Sequence, residues 1–231
     1  MTLVYVNGDG KMGAAVLRLV DEAADCERAA GIDDAEVIID YSHPDWTGPL
    51  LTLLLADPVP AIVGTTGLSP EQEADLEALS RRVPVVRAAN TGTGVNILKR
   101  LVELAAKAAP DWDIEVLEMH HRRKVDAPSG TAWMLLEAAA GGGRERAVPA
   151  RVGQTGARTD EEIGIQSLRG GDVVGEHTVF LVGDGERIEL THRAWDRDTF
   201  ARGGLRAARW LVVPGRAAGL YSMDDVLGSD E

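Results

Sequence analysis

Cysteine is nearly missing: Cys26 is the one thiol among 231 residues. That excludes an internal disulfide framework and fits a reducing compartment, so a cytoplasmic location is expected. No catalytic partner stands near Cys26 in the sequence, and it reads as a small packed side chain. Long apolar runs are missing as well. The strongest, residues 50–56, is bounded by Pro58 and Pro60, far short of the roughly 20 residues a bilayer demands, so no membrane-spanning helix is expected. A charged-then-apolar leader is not expected either, since residues 2–6 read as a strand running into a glycine loop. Positive charge is in deficit, with 24 basic against 37 acidic residues and a net charge of −13. Nucleic-acid binding needs cations to replace phosphate counterions, so that class of partner is not expected. A small anion is not drawn in by the global field either. Local cations must do it, and residues 122–124 are their densest cluster.

That cluster belongs to the stretch Glu118-Met119-His120-His121-Arg122-Arg123-Lys124-Val125-Asp126-Ala127-Pro128-Ser129-Gly130-Thr131-Ala132. The stretch continues a strand at 113–117, then packs two imidazoles and three cations into five positions. It closes on Pro-Ser-Gly-Thr before a helical run. Pro128 suits the first turn of a helix, where its missing N–H would have had no partner. Ser129, Gly130 and Thr131 offer backbone N–H groups and hydroxyls at a positive helix end, which is a site for a carboxylate or phosphate. A histidine upstream can give a proton near neutral pH. His120 and His121 are neighbours, so on a strand they point to opposite faces and do not share a metal; no metal site is expected. Taken singly, residues 122–124 read equally well as a solvated turn, and Ser129 to Thr131 as a plain helix start. In this order, acid, cation and carboxylate cradle point to catalysis on a small anionic substrate.

A chain of 231 residues allows one large or two small domains. Residues 2–6 lead into Asn7-Gly8-Asp9-Gly10-Lys11-Met12-Gly13 and a helix to about residue 24. Strand, glycine turn, helix is the phosphate-binding opening of a dinucleotide fold. Apolar strands and helices then alternate: strand 36–40, helix 45–56, strand 61–63 into Gly64-Thr65-Thr66-Gly67, helix 71–82, and strand 83–86 ending in Ala88-Ala89-Asn90-Thr91. Only residues 25–34 separate the first helix from strand 36–40, too few for a full strand, helix and turns. A nucleotide fold holds the adenine ribose with an acidic residue in this region. Asp33 is the candidate, a plain loop aspartate its alternative, and no arginine follows it directly, which favours NADH over NADPH. His43 reads as structural. A helix at 96–109 joins the halves, Gly141-Gly142-Gly143 breaks the chain, and residues 144–161 read as a mobile loop. Residues 163–168, 176–182 and 187–192 alternate as strands, with Asp184-Gly185 as a hairpin turn. They build an open mixed sheet with one face free for other subunits. Packing or interface roles are expected for His177 and His192.

The stretch at 118–132 resembles the signature of the 4-hydroxy-tetrahydrodipicolinate reductase (dihydrodipicolinate reductase) family of bacterial lysine biosynthesis, E-x-H-H-x-x-K-x-D-A-P-S-G-T-A, at every fixed position. Val63 to Gly67, Ala88-Ala89-Asn90 with Gly94-Val95-Asn96, Arg169 to Thr178 and Gly185 to Ala194 match further family segments in order. The resemblance implies a shortened Rossmann-like nucleotide-binding domain (1–91 and 205–231) and an α+β substrate-binding and oligomerisation domain with an open mixed sheet (92–204). It implies NAD(P)H-dependent reduction of a cyclic dicarboxylate imine, with NADH or NADPH as cofactor and a homotetrameric assembly. His120 would be the acid, Lys124 the activating cation, and His121, Ser129, Gly130 and Thr131 substrate contacts. Asn7, Gly8, Gly10, Lys11, Met12, Asp33, Gly64, Thr65, Thr66, Ala88, Ala89, Asn90 and Thr91 would touch the cofactor. The chain departs from the family's pattern at Asn7 (glycine), Gly8 (alanine), Thr91 (aromatic or apolar) and Gln154 (histidine), and in the short segment after the first helix. Asn7 is expected to take over a left-handed turn position, which asparagine tolerates. Two alternatives stay open: a reductase of another cyclic imine acid, or a paralogue that has lost its cofactor.

Overall fold

The computed structural model describes residues 1–142 and 145–228. Gly143 and Arg144, where the glycine run ends and the expected loop begins, lie outside the described residues. The chain divides into two compact units, Met1–Thr93 with Arg197–Glu231, and Gly94–Asp196. The elements run β1 (Thr2–Asn7), α1 (Lys11–Glu22), β2 (Cys26–Arg28), a 3₁₀ turn at Ile32–Asp34, β3 (Val37–Asp40), α2 (Pro44–Ala56), β4 (Ala61–Val63), α3 (Pro70–Ser80) and β5 (Pro84–Arg87). Next come α4 (Thr93–Ala108), β6 (Asp113–His120), α5 (Gly130–Ala140), β7 (Ala147–Pro149), β8 (Ile163–Arg169), β9 (Gly175–Gly183) and β10 (Glu186–Ala194). The last are α6 (Asp198–Leu211), β11 (Gly219–Tyr221) and α7 (Met223–Gly228).

In the first unit a parallel sheet of order β11-β5-β4-β3-β1-β2 is covered on both faces. The period of two in its apolar runs feeds both layers. Val37, Ile39, Ile62 and Val86 join Val16 and Val20 of α1 and Leu205 and Leu211 of α6. Ile38, Ala61, Val63 and Val85 join Leu50, Leu51 and Leu54 of α2 and Leu76 and Leu79 of α3. Because α6 carries Ala201, Leu205, Ala208 and Leu211 into this core as one rod, the return to the first unit begins at Arg197 and not at 205. A second difference concerns residues 25–34. They hold a three-residue strand, β2, paired with β1 through Thr2, Leu3 and Val4, and only one 3₁₀ turn before β3. A nucleotide fold's second strand is present, cut to its minimum.

The second unit is a mixed sheet of order β10-β9-β6-β8-β7. β6 runs parallel to β8 and antiparallel to β9. Its alternate residues Ile114 and Val116 enter a core with Leu135 and Leu136 of α5 and Leu98 and Val102 of α4. The expected mobile loop is, over residues 145–161, a short strand and a pinned segment. β7 pairs with β8. Arg151 forks onto Glu115 and reaches Glu162, and Arg158 binds Asp113 and the Thr159 and Glu162 carbonyls. Two guanidiniums on paired carboxylates hold what composition alone marks as loose.

Candidate active site

The chemistry-bearing residues of the second unit are placed by strand alternation. Glu118 and His120 follow Ile114 and Val116 on the buried face of β6, so the pattern that makes the core also carries an acid and an imidazole to the strand's end. Glu118 lies opposite His177 of β9, and His120 opposite Arg169 of β8. The Glu118 carboxylate is fully buried. Its Oε1 accepts from Arg169 (2.8 Å) and from the Ser129 N–H (3.2 Å), and its Oε2 accepts from Arg169 (2.8 Å) and lies 2.5 Å from His120 Nδ1. Burial alone would raise this carboxyl, but the hydrogen bonds from His120 and Arg169 outweigh it and hold it down at about 2. An ionised Glu118 can only accept, so His120 Nδ1 carries the hydrogen and Nε2 is the ring's outward atom. Gly175 lies beside that atom: a Cβ there would stand 3.1 Å from His120 Nε2.

Ser129 is the N-cap of α5, its hydroxyl accepting from the Ala132 N–H (3.1 Å) and touching His177 Nε2 (3.2 Å). Pro128 therefore stands ahead of the cap and not in the first turn. The anion at this helix end is in part internal, since Glu118 already takes the Ser129 N–H. Gly130 is exposed and Thr131 half-buried on the same turn. His177 is buried edge-on to His120, ring centroids 5.1 Å apart. Burial first, and then the charge of His120, push it down to about 3, so it is neutral at physiological pH. Its Nδ1 has no partner among the described residues. A bare lone pair costs less there than a stranded N–H, which puts the proton on Nε2, facing Ser129, and leaves the serine hydroxyl hydrogen to be given elsewhere.

The cation cluster separates on folding. Arg122 and Arg123 are solvated, as a charged turn ordinarily is. Lys124 is half-buried and paired with Asp126 (2.8 Å), whose carbonyl accepts from Arg169 (2.7 Å). His121 lies just past the end of β6 and its carbonyl accepts from the Lys124 N–H (3.1 Å). His192 packs on Gly94, where a Cβ would come within 2.8 Å of its ring.

In the first unit a cleft of about 510 Å³ is lined by Asn7, Gly8, Asp9, Gly10, Tyr41, Ser42, His43 and Trp46. Gly10 caps α1, and Lys11 and Met12 form its first turn. The turn fits a pyrophosphate. Gly8 has φ +134° with its Cβ position 2.8 Å from the Tyr41 carbonyl oxygen, and a Cβ on Gly13 would strike the Gly8 carbonyl oxygen at 1.9 Å.

Two family models cover most of the chain: dihydrodipicolinate reductase, N-terminus, matches residues 29–91, and dihydrodipicolinate reductase, C-terminus, matches residues 94–227. A 4-hydroxy-tetrahydrodipicolinate reductase of Myxococcus xanthus is 50% identical over 222 residues, 94% of this chain and 80% of its own length. One from Acinetobacter baumannii is 47% identical over 243 aligned positions, covering 96% and 88%. The chain belongs to the dihydrodipicolinate reductase family. Its fold agrees with that of the dipicolinate-bound dihydrodipicolinate reductase of Paenisporosarcina sp., TM-score 0.73 at 23% identity over 96% and 97% of the two chains. The enzyme class follows from membership: an NAD(P)H-dependent oxidoreductase.

Against this member of the family, the sequence-derived site residues fall into two groups. Asn7, Gly8 and Gly10 line the cleft, while Asp33, Gly64 to Thr66 and Ala88 to Thr91 are not among its lining. Asn7 is not left-handed. It ends β1 as a strand residue, its amide donating to Asp40 (2.8 Å) and Ser42 (3.2 Å), and the positive φ falls on Gly8. Thr65 spends its hydroxyl on Asp40 (2.8 Å), and Thr91 spends its own on the Phe200 carbonyl (2.7 Å) and Tyr41 (2.5 Å). Thr66 and Ala89 are exposed, Ala88 is buried, Asn90 accepts from the Gly92 N–H, and Gly64 faces the Tyr41 ring. Asp33 is exposed on the 3₁₀ turn.

Sequence reasoning missed Glu118, Arg169 and His177 as members of one network. The first was readable, because residues two apart on a strand share a face; the others needed the register of β8 and β9. It also passed over Glu27 and Arg28, which end β2 as an exposed acid and an exposed arginine held by Asp21. Among the described residues no group of three or more His, Cys, Asp or Glu is set to hold a metal ion.

Proposed function

We propose that this chain reduces 4-hydroxy-tetrahydrodipicolinate (dihydrodipicolinate) to tetrahydrodipicolinate in lysine and diaminopimelate biosynthesis, with His120 as proton donor and Lys124 as substrate-activating cation. The observation that supports the role of His120 is its contact of 2.5 Å with Glu118, which occupies Nδ1 and leaves Nε2 to deliver a proton. Bound in the first unit, NADH or NADPH supplies the hydride. The second unit's residues do the rest. Lys124 meets one carboxylate and draws charge from the imine. Ser129, Gly130 and Thr131 hold the other carboxylate at the α5 N-terminus, with His121 beside it. Once the 4-hydroxyl has left as water to give the unsaturated imine, His120 protonates the carbon next to the one that receives the hydride. In a chain of net charge −13 these local donors are what admits a dianion.

Asn7, Gly8, Gly10, Lys11 and Met12 would present the pyrophosphate turn, with Gly64 to Thr66 and Ala88 to Thr91 towards the nicotinamide through their backbone. At the adenosine end we place Glu27 on the ribose hydroxyls ahead of Asp33, because it ends the second strand. Arg28 is then the group a 2′-phosphate would meet, so the reading of Asp33 as favouring NADH loses its ground. The outer face of the second sheet carries Leu168 (43% exposed) and Val182 (37%) with Phe180 and Met119 between them, which supports a homotetramer formed through this face. No helix among the described residues is long and apolar enough to cross a membrane, and one buried free thiol fits a cytoplasmic enzyme.

The test follows NADH and NADPH oxidation with substrate generated in place by the synthase of the preceding step. Wild type should consume both substrate and cofactor, while His120→Ala and Lys124→Ala should each lose about a hundredfold or more in turnover with an unchanged fold by circular dichroism. Near-wild-type rates in either variant would sink the assignment.

A further inference from the structure

We propose that Glu118 and Arg169 are a positioning pair for His120, holding the donor ring, the carboxylate-binding helix and the Lys124 turn as one unit. The inference rests on the reading of His120 as the acid. Glu118 is the point where three elements meet: its own strand β6 through His120, β8 through the Arg169 fork, and the start of α5 through the Ser129 N–H. Arg169 extends the link by donating to the Asp126 carbonyl, and Asp126 grips Lys124. One buried carboxylate thus fixes the acid, the cation and the carboxylate cradle relative to one another.

The chemical consequence lies in the proton cycle. When His120 gives its Nε2 proton to the substrate carbon, the ring becomes neutral with Nδ1–H still on Glu118, and Nε2 regains a proton from water. An ionised acceptor at Nδ1 attracts the positive charge that the ring carries before it gives its proton, and keeps the ring from rotating afterwards. The charged and titratable groups around this network are Arg169 opposite His120 on β8 and neutral His177 edge-on to it from β9, with His192 of β10 opposite His177 and the Lys124–Asp126 pair tied in through the Asp126 carbonyl on Arg169. Glu118 is the anion in direct contact with the ring. Arg169 in turn keeps Glu118 ionised.

The experiment has two readings on full-length protein. Proton NMR of the wild type should show a downfield Nδ1–H signal from His120, lost in both His120→Ala and Glu118→Gln. In pH–rate profiles with saturating cofactor, Glu118→Gln should lower kcat about a hundredfold. It should also move the basic limb about one unit to lower pH, with KM for the dicarboxylate changed less than about threefold. Arg169→Lys, which keeps the charge and breaks the fork, should show the same direction at about a tenth of the loss. A missing downfield signal in wild type, or a kcat loss with an unmoved pH profile, overturns the positioning pair. If wild type shows the signal but no turnover, the substrate reading fails and the pair survives it. Should Glu118→Gln fail to fold, Arg169→Lys and the wild-type signal decide alone.

Discussion

Among the described residues each unit buries one carboxylate completely, Asp40 in the first and Glu118 in the second, and the two are satisfied in opposite ways. Asp40, at the end of β3, accepts from Asn7 and Ser42 at one oxygen and from Thr47 and Thr65 at the other, over 2.5 to 2.8 Å. All four donors are neutral. Glu118, at the end of β6, accepts from a guanidinium, an imidazole and one backbone N–H. Neutral donors tie loops together and cannot answer a change of protonation. Asp40 accordingly joins the glycine turn after β1, the start of α2 and the loop after β4, the three segments a dinucleotide would use, and acts as a structural knot. Glu118 touches His120, which is edge-on to His177, so a change in its charge acts on titratable neighbours. Burial alone does not separate a structural acid from a functional one; the charge of the donors does.

The most damaging way to break this contrast is Asp40→Ala, which strands four donors, two of them buried, and should cost on the order of 3 kcal/mol in urea unfolding. A loss under about 1 kcal/mol would show that the knot is not holding the loops. Replacing each carboxylate by its amide sharpens the comparison: Asp40→Asn should lower stability and raise KM for cofactor with the pH–rate profile unmoved, whereas Glu118→Gln moves the profile. Equal profile shifts would erase the distinction. Acid stability comes next. His177 is held down at about 3, so the stability of its neutral, buried form is whole above pH 6.5 and falls away between pH 6.5 and 3, where only the unfolded chain takes up the proton. Glu118, held at about 2, contributes a separate loss below about pH 4.5. His177→Asn should flatten the first window and leave the second. Urea midpoints at pH 7, 6 and 5 that slope equally in both proteins would contradict the assignment. Smallest is Asn7→Gly, which removes two donors from the knot and should cost about 1 kcal/mol, with cofactor KM within about threefold of wild type.

Much of this was readable from residues alone. The uninterrupted apolar triplets at 37–39, 61–63 and 84–86 announce a parallel sheet buried on both faces, and the signature at 118–132 carries His120, Lys124 and the helix cap in their chain order. Glu118 was readable too, since i and i+2 on a strand share a face. The reading went astray where local pattern was too short to register. β2 has three residues, below what periodicity can detect, so the end of the second strand went unread. Asn7 drew an argument from left-handed tolerance, yet its place is an extended strand with its amide on Asp40, a partner thirty-three residues away. Residues 145–161 read as loose because nothing local holds them, whereas Arg151 and Arg158 reach back thirty-six and forty-five residues to β6.

What the sequence determined by itself was therefore everything set by neighbours: strand and helix periodicity, the glycine turn, the α5 cap, the family signature, and the sign of the local charge at 122–124. What only the tertiary structure decided was which polar groups share a proton or a carboxylate. Arg169 and His177 reach Glu118 and Ser129 through the register of β8 and β9 against β6, and sheet register is settled by packing one whole face against two helices, not by any short run of residues.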